Sequence, residues 1–185
     1  RLSETPAEYQ HSSIDGFFRA LAADQGDNAV AVMLSGTGTD GTVGLREVHE
    51  QGGVTLVQDP EEGEYAGMLR SAIATEVVDL VLPVAELAET LVEYRDQAGT
   101  IQIPDAPDEL GDRDRRVLQN ILSHLNSATG RDFSHYKRSM LLRRLQRRMK
   151  INARASLDEY LAYLNEDDEE VERLHKDLLI TVTSF

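Results

Sequence analysis

The chain has 185 residues, 41% of them apolar and none of them cysteine, and carries a formal net charge of -14. That apolar share excludes a disordered chain and the absent cysteines a disulfide scaffold, while no apolar run approaches the roughly 18 residues that would span a bilayer. The acidic balance argues against nucleic acid or an anionic membrane as a partner of the whole surface, and with no basic-then-apolar leader the expected setting is cytoplasmic.

Ile14 to Ala23 (IDGFFRALAA) has helical spacing, Asn28 to Leu34 (NAVAVML) reads as a buried strand, and Gly41 to Gln51 as a helix ended by Gly52 and Gly53. Val54 to Gln58 is a second β-branched run, Val77 to Leu82 a third, and Pro83 to Tyr94 an amphipathic helix with proline at its start. Strands alternating with helices predict a parallel α/β sheet. Three such strands make a poor complete domain, because parallel strands need both faces covered and both edges managed. We therefore expect a partial domain, residues 1–98, that begins partway through a larger α/β unit, with sheet edges open to self-association.

Residues 99–112, within a stretch without periodicity that holds two prolines, are the expected linker. Residues 113–185 then read as a small all-α bundle, with helices over Arg113–Ala128, Ser134–Met149, Ser156–Asn165 and Glu169–Leu179. Ser156 and Glu159 form a capping box, and Asp132 or Ser134 is placed to cap the second of these helices.

Two features carry chemistry. The first is LSGTGTDGTVGL, Leu34 to Leu45, a GxGxxG loop between a strand and a helix, followed by Asp59 at the end of the next strand. This spacing suits a dinucleotide cradle, but Asp40 would lie beside the pyrophosphate with the wrong charge. A carboxylate at a helix N-terminus is instead stabilised there, either as a simple cap or to orient a histidine that becomes charged in catalysis. His11, Ser12, Ser13 and Asp15 lie too close along an irregular segment to form a triad, and His49, His124 and His175 sit singly without metal-ligand partners, so no metal is expected.

The second feature is Lys137 to Arg154, which holds 8 of the 19 lysines and arginines and no acid. At about 100° per residue, Leu141, Leu142, Leu145 and Met149 share one arc, and the basic residues are expected to face water opposite them. Pairing with the acidic run Glu166–Glu170 inside the chain is one alternative; an acidic protein partner is the other. Nucleic acid would call for stacking aromatics and a basic domain.

Leu34 to Gly41, the helix after it, VTLVQDP and GMLRSAI (Gly67–Ile73) resemble the C-terminal, Rossmann-like half of the chemotaxis methylesterase catalytic domain, the CheB type. The resemblance implies that Asp40 is the third member of a Ser-His-Asp triad hydrolysing receptor glutamate methyl esters, and often deamidating glutamines. Gly36 and Gly38 would shape the active-site loop, and the serine and histidine would lie upstream. The family usually has Met where Thr37 sits and Pro where Leu69 sits.

Leu118 to Phe185, above all TGRDFSHYKRSMLLRRLQRRM and LLITVTSF, resembles the N-terminal helical domain of the chemotaxis receptor methyltransferases, the CheR type. That resemblance implies docking of Arg143, Arg144, Arg147 and Arg148 on the acidic methylation helices of chemoreceptors. It also places Thr183 and Ser184 near S-adenosylmethionine in the intact enzyme, with no tight cofactor binding expected of this chain alone. The two together imply an internal piece of a bifunctional adaptation enzyme that demethylates and methylates receptor glutamates, this piece by itself being inactive. The alternative is a non-catalytic receptor-docking module that uses the basic helix.

Overall fold

The computed structural model describes residues 12–97 and 107–180, and the chain divides into two compact units, one through Leu91 and one from Val92. As expected, a parallel α/β portion is followed by an all-helical one.

The first unit is built on β1 (Val30–Met33), β2 (Val54–Gln58) and β3 (Leu80–Leu82), parallel and in the order β1-β2-β3. Val30 lies opposite Val54 and Leu56 opposite Leu80. The central strand β2 is buried at every position, which is why its sequence shows no polar alternation. The third strand is shorter than the Val77–Leu82 run because polar groups take over at its start. Thr55 Oγ1 donates to the Val77 carbonyl at 2.6 Å, and Asp79 Oδ2 accepts the Thr55 N–H at 2.8 Å.

The helices are α1 (Ser13–Gln25), α2 (Thr42–Glu50), α3 (Gly67–Ile73) and α4 (Val84–Gln97). The short α3 shows too few turns for its apolar spacing to announce a helix. Phe18 and Ala22 of α1, Leu45 and Val48 of α2, Met33, Val57, Leu69 and Ala72 fill one core.

The second unit holds a 3-10 turn at Pro107–Glu109 and α5 (Asp112–Thr129), α6 (Arg138–Ile151), α7 (Leu157–Leu164) and α8 (Asp168–Ile180). Gly130, at φ +71°, ends α5 in the left-handed cap that a side chain would strain. The expected capping box forms at α7: Ser156 Oγ accepts the Glu159 N–H at 3.3 Å, while Glu159 Oε2 reaches back to the Ala155 N–H at 3.0 Å.

The cap expected for the basic helix does not form. That helix starts four residues later than Ser134, after Lys137, with no side-chain cap. Asp132 instead accepts the N–H and the hydroxyl of Ser134, and these two bonds hold its carboxyl below the usual carboxylate range. Of the expected linker, residues 99–106 lie outside the described residues, and Asp112 already belongs to α5. No helix among the described residues is long and apolar enough to cross a membrane.

Candidate active-site loop and the basic helix

The loop from Leu34 to Gly41 leaves β1 and is fastened on both sides. Ser35 N–H donates to Gln58 Oε1 at 2.9 Å, tying the loop to the end of β2. Gly36 N–H donates to the Tyr65 carbonyl at 3.0 Å, and the Gly36 carbonyl accepts Met68 N–H at 3.1 Å, tying it to the start of α3. A Cβ on Gly36 would come within 2.5 Å of the Met68 methyl. Gly38 is exposed at φ +88°. Gly41 takes φ +94° and turns the chain into α2. Gly36 is thus held in close contact with α3, and Gly38 and Gly41 take left-handed backbone conformations.

Asp40 does not cap its own helix; the N-cap position of α2 is Gly41, which makes no side-chain cap bond. Its carboxylate crosses to the N-terminus of α1, where Oδ2 accepts Ile14 N–H at 3.1 Å and Oδ1 accepts Asp15 N–H at 3.0 Å. The compensation is mutual, because Asp15 Oδ1 accepts the Gly44 N–H at 2.7 Å in the first turn of α2. Two orphan donors of α1 and one of α2 are thus satisfied by an acid carried on the other side of the contact. Sequence reading had Asp40 at a helix N-terminus but assigned the wrong helix, since the partner lies 25 and 26 residues upstream.

A carboxylate offers about four lone-pair positions, and two N–H donors leave room for a further donor such as an imidazole N–H. Asp40 is half-buried and stands at the N-terminus of α1, just ahead of α2. Leu34 and Tyr65, exposed apolar side chains, belong to the loop and to its tether. Of the cluster His11, Ser12, Ser13 and Asp15, the Asp15 side chain is committed to Gly44 and His11 lies outside the described residues.

The basic helix corrects the sequence reading. Its stripe of Leu141, Leu142, Leu145 and Met149 is buried as expected, but Arg144, Arg147 and Arg148 are also buried rather than facing water. Arg147 Nη1 meets Asp177 Oδ2 of α8 at 2.5 Å. Arg148 grips Glu170 with both edges of its guanidinium, Nε on Oε1 at 2.9 Å and Nη2 on Oε2. Tyr160 of α7 donates its hydroxyl to the same Glu170 Oε1 at 2.6 Å, and burial followed by the Glu170 charge pushes its phenol well above the ordinary range.

Arg154 lies over the Tyr163 ring, 4.6 Å from its centroid. Of the four arginines expected to dock a receptor, Arg143 alone is exposed, in company with Lys137 and Arg138. Thr183 and Ser184, expected near S-adenosylmethionine, lie outside the described residues, and no described residue is assigned to that cofactor. Sequence reading also missed a half-open cavity of about 420 Å³ in the second unit, floored by Leu118, Leu122, Phe133 and Leu141 and rimmed by Arg115 and Arg138.

Residues 1–91 match the family described as CheB methylesterase, and residues 116–179 the family described as CheR methyltransferase, all-alpha domain. A 104.1 kDa protein of Rhodobacter capsulatus is 37% identical over 191 residues, covering 93% of this chain and 20% of that protein. The protein-glutamate methylesterase/protein-glutamine glutaminase of Moorella thermoacetica is 38% identical over 87 residues, 47% of this chain and 20% of its own. The crystal structure of the Thermotoga maritima CheB methylesterase catalytic domain is 34% identical with a TM-score of 0.42, covering 43% of this chain and 42% of that one. The chain spans about a fifth of the length of these first two relatives. Both family matches are to enzymes, so nothing in them favours a docking-only role.

Proposed function

We propose that this chain, which joins part of the CheB methylesterase family to the all-alpha part of the CheR methyltransferase family, belongs to a cytoplasmic protein that both removes and adds methyl groups on chemoreceptor glutamates. The observation that carries the esterase half is the Asp40 carboxylate. It is fixed by two backbone N–H groups from α1 and retains acceptor capacity for a third donor. In this reading Asp40 accepts Nδ1–H of a histidine contributed from outside this chain. It holds the imidazole in one tautomer, and stabilises the imidazolium formed as that histidine takes the proton of the attacking serine. Hydrolysis then releases methanol and a receptor glutamate, and the same machinery acting on a glutamine amide releases ammonia, which agrees with the double name of the Moorella relative.

The second unit supplies the contact of the methyltransferase with an acidic receptor helix. Arg143, with Lys137 and Arg138, presents the exposed charge for that contact, while Arg147 and Arg148 hold the bundle together. S-adenosylmethionine supplies the methyl group in the intact protein. Carrying both activities on one polypeptide raises their local concentration at a shared receptor.

Replacing Asp40 by Asn in the intact protein tests the esterase assignment. Release of methyl groups from methylated receptor should fall by about 10⁴ in kcat, with the fold retained, as expected when a triad carboxylate becomes an amide and the histidine takes the wrong tautomer. Unchanged turnover sinks the assignment. Arg143→Glu should weaken receptor binding in a salt-dependent way, and indifference to both the substitution and salt would remove the docking role.

A further inference from the structure

We infer that Asp15 is a positioning residue for the Asp40 carboxylate, acting as the latch that sets where that carboxylate stands; the inference rests on the esterase reading of Asp40. Asp15 touches the Asp40 segment twice and from both ends. Its backbone N–H donates to Asp40 Oδ1 at 3.0 Å, and its side-chain Oδ1 accepts the Gly44 N–H at 2.7 Å, four residues beyond Asp40. The four-residue span between Asp40 and Gly44 is therefore closed into a ring through a single residue of α1. Asp15 is among the few charged side chains of the described residues that are buried, at 9% exposure.

Such burial of a carboxylate is unfavourable unless its lone pairs are used, and a charged acceptor at a helix N-terminus uses them well. A surface Asp could cap α2 equally well without burial. What the buried position adds is geometry, because the same residue that anchors α2 also presents the N–H that fixes one Asp40 oxygen. Gly44 completes the arrangement. A Cβ there would lie 2.6 Å from Phe18 Cβ and 2.9 Å from the Asp15 carbonyl oxygen, so only glycine lets α2 approach closely enough for the Asp15 side chain to reach its N–H.

If Asp15 works by aiming Asp40, its removal leaves substrate binding intact and lowers the chemical step. Any acceptor of the same shape should restore it, since what is needed is a lone pair in place. The Asn side-chain oxygen can still accept the Gly44 N–H, so Asp15→Asn is the rescuing variant and Asp15→Ala the damaging one.

The test uses the intact protein and methylated receptor, with turnover referred to the folded fraction found by urea unfolding. Asp15→Ala should lower kcat about 10- to 100-fold, the range expected for misplacing a catalytic group by about an ångström, with KM changed less than about twofold. Asp15→Asn should keep most of the activity. In the double variant Asp15→Ala/Asp40→Asn the loss should be no greater than in Asp40→Asn alone, because one residue acts through the other. The side-chain carboxyl 13C resonance of Asp40 gives a readout independent of turnover, and Asp15→Ala should shift it where Asp15→Asn does not. Full activity per folded molecule in Asp15→Ala, additive losses in the double variant, or an unmoved Asp40 resonance each overturn the inference. An Asp40→Asn enzyme of normal turnover would overturn the triad reading itself, and is recognised separately because it needs no change at Asp15.

Discussion

Arg148 of α6 and Glu170 of α8 form a two-pronged ion pair that is closed off from water, with Arg148 1% and Glu170 0% exposed. Tyr160 donates a third hydrogen bond to the same carboxylate, so three helices of the bundle meet on one acid. A buried pair contributes little net stability against an apolar replacement, but removing one partner strands the other in a medium that cannot solvate it. Arg148→Met should therefore destabilise the second unit by about 3–5 kcal/mol, read as a lower urea midpoint at unchanged slope. The triple variant Arg148→Met/Glu170→Leu/Tyr160→Phe should recover most of that loss. If the single variant were as stable as the parent, Arg148 would be an ordinary surface cation after all.

That pair shows what could and could not be read from the sequence. The helices of the bundle were legible because Leu141, Leu142, Leu145 and Met149, or Leu157, Tyr160 and Leu164, repeat at helical spacing. Pairing with the run Glu166–Glu170 was one of the two readings the sequence left open, and Arg148–Glu170 realises it. The burial of Arg147 on Asp177, outside that run, was not legible, because it depends on how α6 and α8 pack. A signal existed: Glu170 and Asp177 are seven residues apart, in the same stripe as Val171, Leu174 and Leu178. Two acids inside an apolar stripe mark a helix face that expects cations. In the first unit the glycine loop and its Asp40 were visible as a motif, whereas the partner at Ile14 and Asp15 was invisible because a cap between distant segments leaves no local spacing. The start of β3 was overread for a related reason, since the apolar Val77 and Val78 suggested a ladder that Thr55 and Asp79 replace with side-chain bonds.

Tyr163 donates its hydroxyl to Asp167 Oδ2 at 2.6 Å, and this bond, helped by burial and the Asp167 charge, pushes the phenol up to about 12. A folded value above the unfolded value of about 10 makes the group contribute stability that is complete below pH 10 and is lost as pH rises through about 12. Ultraviolet titration of the parent against Tyr163→Phe isolates its phenolate signal. Asp167→Ala, which removes the acceptor, should move that signal down toward the ordinary tyrosine range, and a signal already there in the parent would refute the hydrogen bond.

His175 stands edge-on to Phe133, with ring centroids 5.9 Å apart at 82°. Burial first, and then the Arg131 charge, push its imidazole below the ordinary value, against a smaller opposite pull from Glu172. The unfolded chain then binds a proton more readily than the folded one. Stability from this site is complete above the unfolded value of about 6.5 and is lost as pH falls below it. The urea midpoint of the parent should therefore drop between pH 8 and pH 5 by more than that of His175→Gln, whose side chain does not titrate. Equal drops in the two proteins would show that His175 carries none of the acid sensitivity.

Gly44 links packing to the candidate site. The first turn of α2 meets α1 so closely that an added methyl would lie 2.6 Å from Phe18 Cβ and 3.0 Å from Asp15 Cα, and backbone cannot swing aside as the end of a long side chain can. Gly44→Ala should destabilise the first unit by about 1–3 kcal/mol through overpacking, more than offsetting the better helix propensity of alanine. Relief must come from separating the two helices, and separation lengthens the Asp15–Gly44 hydrogen bond, now 2.7 Å. Amide exchange at residue 44 should therefore accelerate more than exchange at Val48, which is buried farther along the same helix. Uniform acceleration across α2 would mean that the methyl merely lowers global stability, and that the contact between the helices does not control the cap.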